Sequence, residues 1–526
     1  MIPFNIFYMK GMISMSFENA LKQALAQNSY SVTENGAVGY ASTAHHLLDL
    51  HFAISSMRNE STRKEMLKEH LVKAFEESPA DFMAWLFYIR DIRQGIGERT
   101  LFRDIISQIS SDPELLKESH LTEMLPLVPE FGRWDDLFFI KDEELYNAVM
   151  RSLMVILLED YEIAIGQREG NITLLAKWLP SVKTHSEYSM ALAKDFCRIN
   201  KIKQKDYRKI LSTLRKKLDV VEVKMSANEF DKIKYSAVPS RAAMIYSDAF
   251  RRHDEARYTE YKQNVIEGKE KVNVGTLFPH EIVHKYREGS DIDFIDAAWK
   301  QLPKLDLKKG YIPIIDTSGS MYSSVPGSRN IACVEVSVGL GIYLAQNNPS
   351  ETFRDTIISF SETPEFLDIS GKSLSESAKY IWDKCQGLNT NLFLVFVQLL
   401  NAAIESNAPK DGIPNVIIIS DMEFDSTVNC DWYSEPSINP TLMAKVKQMY
   451  AEAGYNLPRC IWWNVCSRTM TIPQVNSKYG VVMMSGFSQN ALKMIESESL
   501  DPYQVLIDTL RVDRYKPIYN IFGIQL

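Results

Sequence analysis

The sequence lacks any stretch of about eighteen uncharged apolar residues, which argues against a helix that crosses a membrane. Its first ten residues, Met1-Ile-Pro-Phe-Asn-Ile-Phe-Tyr-Met-Lys, have no charged start ahead of the apolar part and no small-residue cleavage site. An intracellular, cytoplasmic protein that leaves membranes alone is therefore expected. Cysteine is scarce. The six residues, Cys197, Cys333, Cys385, Cys430, Cys460 and Cys466, are scattered without C-x-x-C spacing. This suggests neither a zinc knuckle nor a disulfide framework and leaves buried free thiols as the default. A Walker loop, a dinucleotide fingerprint and a repeat of fixed period are also missing. Positive charge is outnumbered, and the net charge of -8 argues against nucleic-acid binding over the whole surface while leaving room for a local basic patch.

What is present is length. A chain of 526 residues, 45% of them hydrophobic, can bury more than one core, so two or more domains are expected. Up to about residue 300 the apolar positions recur at helical spacing, as in Phe82, Trp85, Leu86 and Ile89, or Leu101, Phe102, Ile105, Ile106 and Ile109. Breaks such as Gln94-Gly-Ile-Gly, Pro129-Glu-Phe-Gly and Leu179-Pro-Ser carry turn chemistry at separations that suit successive helical hairpins. An irregular helical solenoid is the expectation.

The pattern changes near Leu305. Tyr311-Ile-Pro-Ile-Ile is a short apolar strand ending at Asp316, and Val334, Val338 and Ile342 follow as a helical stripe. Thr356-Ile-Ile-Ser-Phe and Glu365-Phe-Leu-Asp-Ile flank a Ser361-Glu-Thr-Pro turn and read as a hairpin. Helical segments then alternate with Val416-Ile-Ile-Ile, Cys460-Ile-Trp-Trp and Val481-Val-Met-Met. Such near-continuous apolar strands imply a mostly parallel sheet covered on both faces, with ligands at the carboxyl ends of its strands.

Asp316-Thr-Ser-Gly-Ser320 sits at one of those ends. The D-x-S-x-S spacing lets one loop aim a carboxylate and two hydroxyls, Ser318 and Ser320, at a common point, with Gly319 permitting the curvature. Thr390, at the start of a later helix, and Asp421, directly after Val416-Ile-Ile-Ile-Ser420, supply further oxygens. By themselves the first three are also ordinary cap and turn residues. The set of five favours a hard divalent cation. An aspartyl-nucleophile phosphatase would need a carboxylate where Ser318 stands, so the site reads as binding chemistry and the chain as no enzyme. His280 and His284 are spaced i, i+4 without a metalloprotease signature and read as core or surface histidines.

These five positions resemble the metal-ion-dependent adhesion site of von Willebrand A domains. The resemblance implies a doubly wound, Rossmann-like α/β domain over 306–500. It implies Mg²⁺ or another divalent cation held more directly by Ser318, Ser320 and Thr390, with Asp316 and Asp421 acting directly or through water. Mg²⁺ keeps exchangeable waters, so one position is left for an acidic residue of a protein partner or a phosphate.

Further stretches, Thr33-Glu-Asn-Gly-Ala-Val-Gly-Tyr40, Arg90-Asp-Ile-Arg-Gln-Gly-Ile-Gly-Glu-Arg99, Pro129-Glu-Phe-Gly-Arg-Trp-Asp-Asp-Leu137, Leu175-Ala-Lys-Trp-Leu-Pro180 and Ser485-Gly-Phe-Ser, are similar to the TROVE module of the Ro autoantigen family. They are closer still to an uncharacterised TROVE-like branch of cellular and viral proteins. The resemblance implies a ring or horseshoe of HEAT-like helical repeats over 1–305 and a C-terminal segment, 501–526, packing back on the helices. It also implies binding of structured noncoding RNA in a ribonucleoprotein. Independent support comes from the basic run Lys201, Lys203, Lys205, Tyr207, Arg208, Lys209, Arg215, Lys216 and Lys217. Of these, Lys205, Tyr207, Arg208, Lys209, Arg215, Lys216 and Lys217 are the candidate RNA contacts; a solvated helix face is the equal alternative. Arg90, Arg93 and Arg99 read as ties between helices, and Trp134 as a core anchor. A different reading remains open: a metal-dependent protein-interaction or structural subunit of a larger, possibly viral, assembly.

Overall fold

The computed structural model describes residues 30–112, 118–275, 277–305, 307–328, 330–360, 364–385, 391–425, 441–475 and 480–526. By its contacts the chain forms two compact units. One takes in 30–82, 278–296 and 303–513, and the other 83–277, 297–302 and 514–526. The protein is thus mixed, with a helical N-terminal part and a C-terminal mixed sheet, as the two periodicities in the sequence require. No described helix is long and apolar enough to cross a membrane.

In the first unit a two-stranded ribbon, β1 (Tyr30–Val32) and β2 (Val38–Tyr40), precedes a six-stranded sheet. The sheet consists of β3 (Tyr311–Asp316), β4 (Thr356–Phe360), β5 (Glu365–Asp368), β6 (Asn415–Ser420), β7 (Cys460–Asn464) and β8 (Val481–Ser485). Its order is β5-β4-β3-β6-β7-β8; all neighbours are parallel except β4 and β5, which form the expected hairpin. Residues 361–363 of its turn lie outside the described residues. Every residue of β3, β4, β7 and β8 is buried, as runs of isoleucine, valine and tryptophan without polar alternation demand of strands covered on both faces. The chain leaves β3 for β4 on one side and returns to β6 on the other. The gap at the carboxyl ends of β3 and β6 is therefore a topological switch point.

The ribbon and the helices that follow it belong with this sheet rather than with the helical unit. Tyr40 and Ile472 exchange backbone hydrogen bonds of 2.8 and 2.9 Å. Ser55 donates to the Asn464 carbonyl at 2.9 Å, and Asn464 donates back to the Phe52 carbonyl at 2.8 Å. The sequence division at 305 is thereby crossed, because these partners lie about four hundred positions away, beyond the reach of local periodicity.

In the helical unit, helices Glu143–Ala164, Glu187–Ile199, Gln204–Lys217, Ser240–His253 and Glu255–Ile266 follow one another. The Arg90 segment is a tie, as expected. Arg90 Nε donates to Asp136 Oδ2 at 2.8 Å and Arg103 Nε to Asp136 Oδ1 at 2.6 Å, satisfying a fully buried carboxylate. Trp134 is half-buried instead of lying in the core, and the Arg133 guanidinium beside it lies at 4.4 Å over the ring of Trp178, which is half-buried too. Of the C-terminal segment, residues from Arg514 onward belong to this unit; Arg514 Nε pairs with Asp91 Oδ2 at 2.9 Å.

Candidate functional site

Strand β3 ends at Asp316 and β6 at Ser420, side by side at the switch point. Ser420 Oγ donates to Asp316 Oδ2 at 2.6 Å, and the Ser318 amide to Asp316 Oδ1 at 3.0 Å. Ser318 and Ser320 Oγ lie 3.1 Å apart, and the Ser320 hydroxyl bonds to the Asp421 carboxylate. Four of the five expected cation-site residues, Asp316, Ser318, Ser320 and Asp421, therefore converge. Thr390 lies outside the described residues.

Asp316 and Asp421 are both fully buried. Burial, and then the charge of Asp421, pushes the Asp316 carboxyl up to about 7, while burial raises Asp421 and Arg468 opposes that rise. Two buried carboxylates and two hydroxyls form a hard oxygen set in which a dication would relieve the mutual repulsion. The residues fit such an ion in donor type and charge.

Two residues that the sequence reading did not single out shape this rim. Arg468 Nη1 lies 3.2 Å from Asp421 Oδ2, and its Nη2 is 2.8 Å from Glu34 Oε2. Glu423, buried, gathers the amides of Glu34, Arg468 and Thr469 at 3.0, 2.7 and 2.9 Å. The segment Thr33 to Tyr40 thus forms part of the wall beside the carboxylates. Local signals for either residue were absent, since Arg468 and Glu423 take their roles from a ribbon distant in sequence. His280 is buried, and His284 Nδ1 lies 3.1 Å from Glu335, so the pair serves packing and ion pairing as expected.

The basic run from Lys205 onward lies on helix Gln204–Lys217 in the helical unit, with Lys201 and Lys203 just before its start. Lys205, Arg208, Lys209 and Lys216 line a groove of about 1030 Å³ together with Lys183, Lys224 and Lys232, which the sequence reading did not include. Arg215 also lines it. Two acidic residues, Asp219 and Glu229, line it too, and they pair with Lys224 and Lys232. Lys217 is exposed but does not line the groove.

Two candidate contacts are corrected. Tyr207 is fully buried, and its hydroxyl donates to the Pro180 carbonyl at 2.8 Å, so it presents no face on which a base could stack. It belongs to the apolar stripe Tyr207, Ile210, Leu211 and Leu214. Arg215 is half-buried, and each of its three nitrogens donates within the protein, to the Ala176 and Leu179 carbonyls at 2.8 and 2.6 Å and to Ser181 Oγ at 2.8 Å. It staples the groove wall in place of reaching for a phosphate.

Residues 311–508 match a domain of unknown function, DUF7788, and residues 141–311 match a second, DUF2828. The first match begins with β3 and takes in the whole six-stranded sheet. Over 531 aligned residues the chain is 28% identical to an uncharacterized protein of Acanthamoeba polyphaga mimivirus, covering 93% of this chain and 88% of that one.

Proposed function

We propose that this chain is a nonenzymatic RNA-binding protein of the TROVE, Ro-like kind, acting in the cytoplasm. In this reading HEAT-like helical repeats hold structured noncoding RNA, and a von Willebrand A-like domain holds Mg²⁺ or another divalent cation. The observation that carries it is the groove beside helix Gln204–Lys217. Lys183, Lys205, Arg208, Lys209 and Lys216 line it with no carboxylate within 4 Å among the described residues, in a chain whose overall charge is negative. Concentrated cations in a concave surface suit a phosphate backbone, which holds through counterion release and without base readout. With Tyr207 and Arg215 withdrawn into the wall, the contacts fall to the lysines and Arg208. The test is purification at low salt with Mg²⁺ present, followed by sequencing of the bound nucleic acid. Structured RNAs displaced by salt are expected; protein free of RNA at every salt concentration contradicts the reading.

One observation favours a second reading, a metal-dependent protein-interaction or structural subunit. Asp316 and Asp421 meet at the sheet's switch point with two serine hydroxyls beside them. A cation held there by few charges would accept an acidic side chain of a partner. Recovery of a protein partner that is released by EDTA and abolished by Asp316→Ala, with no RNA, would favour it over the first.

A further inference from the structure

The sheet unit contains a second group of donors, of different chemistry, away from the carboxylates described above. His46 and Asp49 are spaced i, i+3 on helix His46–Phe52 and so share a face. Helix Glu60–Glu77 packs against that face and brings His70 to it. The His46 and His70 rings aim Nδ1 at one another across 2.9 Å, and His70 Nδ1 lies 3.9 Å from Asp49 Oδ2. One ligand atom from each of the three residues falls within 4.8 Å of the others. His70 and Asp49 are buried, whereas His46 is half-exposed and leaves a path to solvent.

We propose that His46 Nδ1, His70 Nδ1 and Asp49 Oδ2 bind a borderline transition-metal dication of the zinc class. Two imidazoles and one carboxylate are the donor set such ions take, and Mg²⁺ does not favour it. Metal–ligand bonds of about 2.1 Å in a tetrahedron separate ligand atoms by about 3.4 Å. Two of the separations, 2.9 and 3.9 Å, bracket that value, and the third lies within 4.8 Å, so His46 and Asp49 draw together when an ion seats between them. A hydrogen bond between the rings would use the two nitrogens alone and leave Asp49 outside; a cation collects all three.

The surroundings hold the ligands in place. Asp49 Oδ2 accepts from Ser42 Oγ at 2.6 Å, and Oδ1 accepts from the Thr43 amide and hydroxyl at 2.8 and 2.6 Å. Such outer bonds fix a ligating carboxylate. Glu69 Oε2 lies 3.8 Å from the far nitrogen of His70, and Glu77 accepts the His46 amide at 2.9 Å. With Lys73 as the opposing cation, the charges facing the rings are net negative. Three protein ligands leave a fourth position for water on the exposed side of His46.

The full chain, dialysed against excess Zn²⁺ and then metal-free buffer, is assayed by plasma mass spectrometry, and in parallel loaded with Co²⁺ and scanned in the visible. The site predicts one equivalent of zinc and an intense tetrahedral cobalt spectrum. Both are retained in Asp316→Ala and lost in His70→Gln. His46→Gln, at a half-exposed position, repeats the loss should His70→Gln fold poorly. Absence of zinc from the wild type, or equal zinc in His46→Gln, overturns the assignment. So does loss of zinc in Asp316→Ala alone, which would place the ion at the other site.

Discussion

Arg468 Nη1 lies 3.2 Å from Asp421 Oδ2, placing a guanidinium beside one of the two buried carboxylates at the switch point. A fixed cation there would compete with any dication that the carboxylates held. Arg468→Gln is expected to tighten Mn²⁺ or Mg²⁺ binding roughly tenfold, about 1.4 kcal/mol. Titration calorimetry checks this. Weaker binding in the variant would mean that Arg468 shapes the site rather than rivals the ion.

Gly39 lies in the ribbon that pairs with Ile472. A Cβ there would sit 2.5 Å from Thr471 Cγ2 and 2.7 Å from the Ile472 carbonyl oxygen. Backbone atoms cannot swing aside as a flexible side chain does. Gly39→Ala should cost about 1–3 kcal/mol by urea denaturation, and wild-type stability would show that the ribbon does not hold against this edge.

Asp136 accepts from both Arg90 and Arg103 in the helical unit. Its removal leaves the buried Arg90 unpaired, so Asp136→Ala should lose about 3–5 kcal/mol. The exposed Arg198 and Asp195 pair makes the contrast: Arg198→Ala should change stability by less than about 1 kcal/mol. Equal losses in the two variants, measured by guanidinium melts, would contradict the assignment of Asp136 as the tie.

Much of the sheet was legible because its strands are short, apolar and followed by turn residues. Tyr311 to Asp316 and Val416 to Ser420 could hardly be anything else, and the ends of those strands located Asp316 and Asp421. The membership of residues 30–82 was hidden, because the Thr33 hydroxyl and the Asn35 side-chain amide donate to the Phe424 and Glu423 carbonyls, partners distant in sequence that leave no local pattern. Tyr207 illustrates the opposite failure. Its spacing from Ile210, Leu211 and Leu214 marked it as core, but its basic neighbours suggested a stacking ring. Arg215 was misjudged for a related reason: the carbonyls it meets, Ala176 and Leu179, become acceptors only once a short helix ends beside it. His46, Asp49 and His70 fell below notice because two helices had to pack before the three could meet.

His51 is fully buried, and desolvation lowers its imidazole from 6.5 to about 3. Between those values the unfolded chain binds a proton that the folded chain lacks, so stability falls as pH falls, by about 1.4 kcal/mol per unit. From pH 7 to 5 this amounts to about 2 kcal/mol. His51→Gln should lose that much less over the same interval in urea melts. Parallel losses in the two proteins would assign the acid sensitivity to other groups.

The most direct test of RNA binding through the basic groove is fluorescence anisotropy with a labelled structured RNA over a series of salt concentrations. Wild type is compared with a variant carrying Lys205→Glu, Arg208→Glu, Lys209→Glu and Lys216→Glu. Neutralising about four phosphates gives a slope near -4 in log affinity against log salt for a duplex. The variant is expected to lose most of this slope and to bind at least about a hundredfold more weakly at low salt. Equal affinity and slope in the two proteins, or no binding by the wild type, would contradict it.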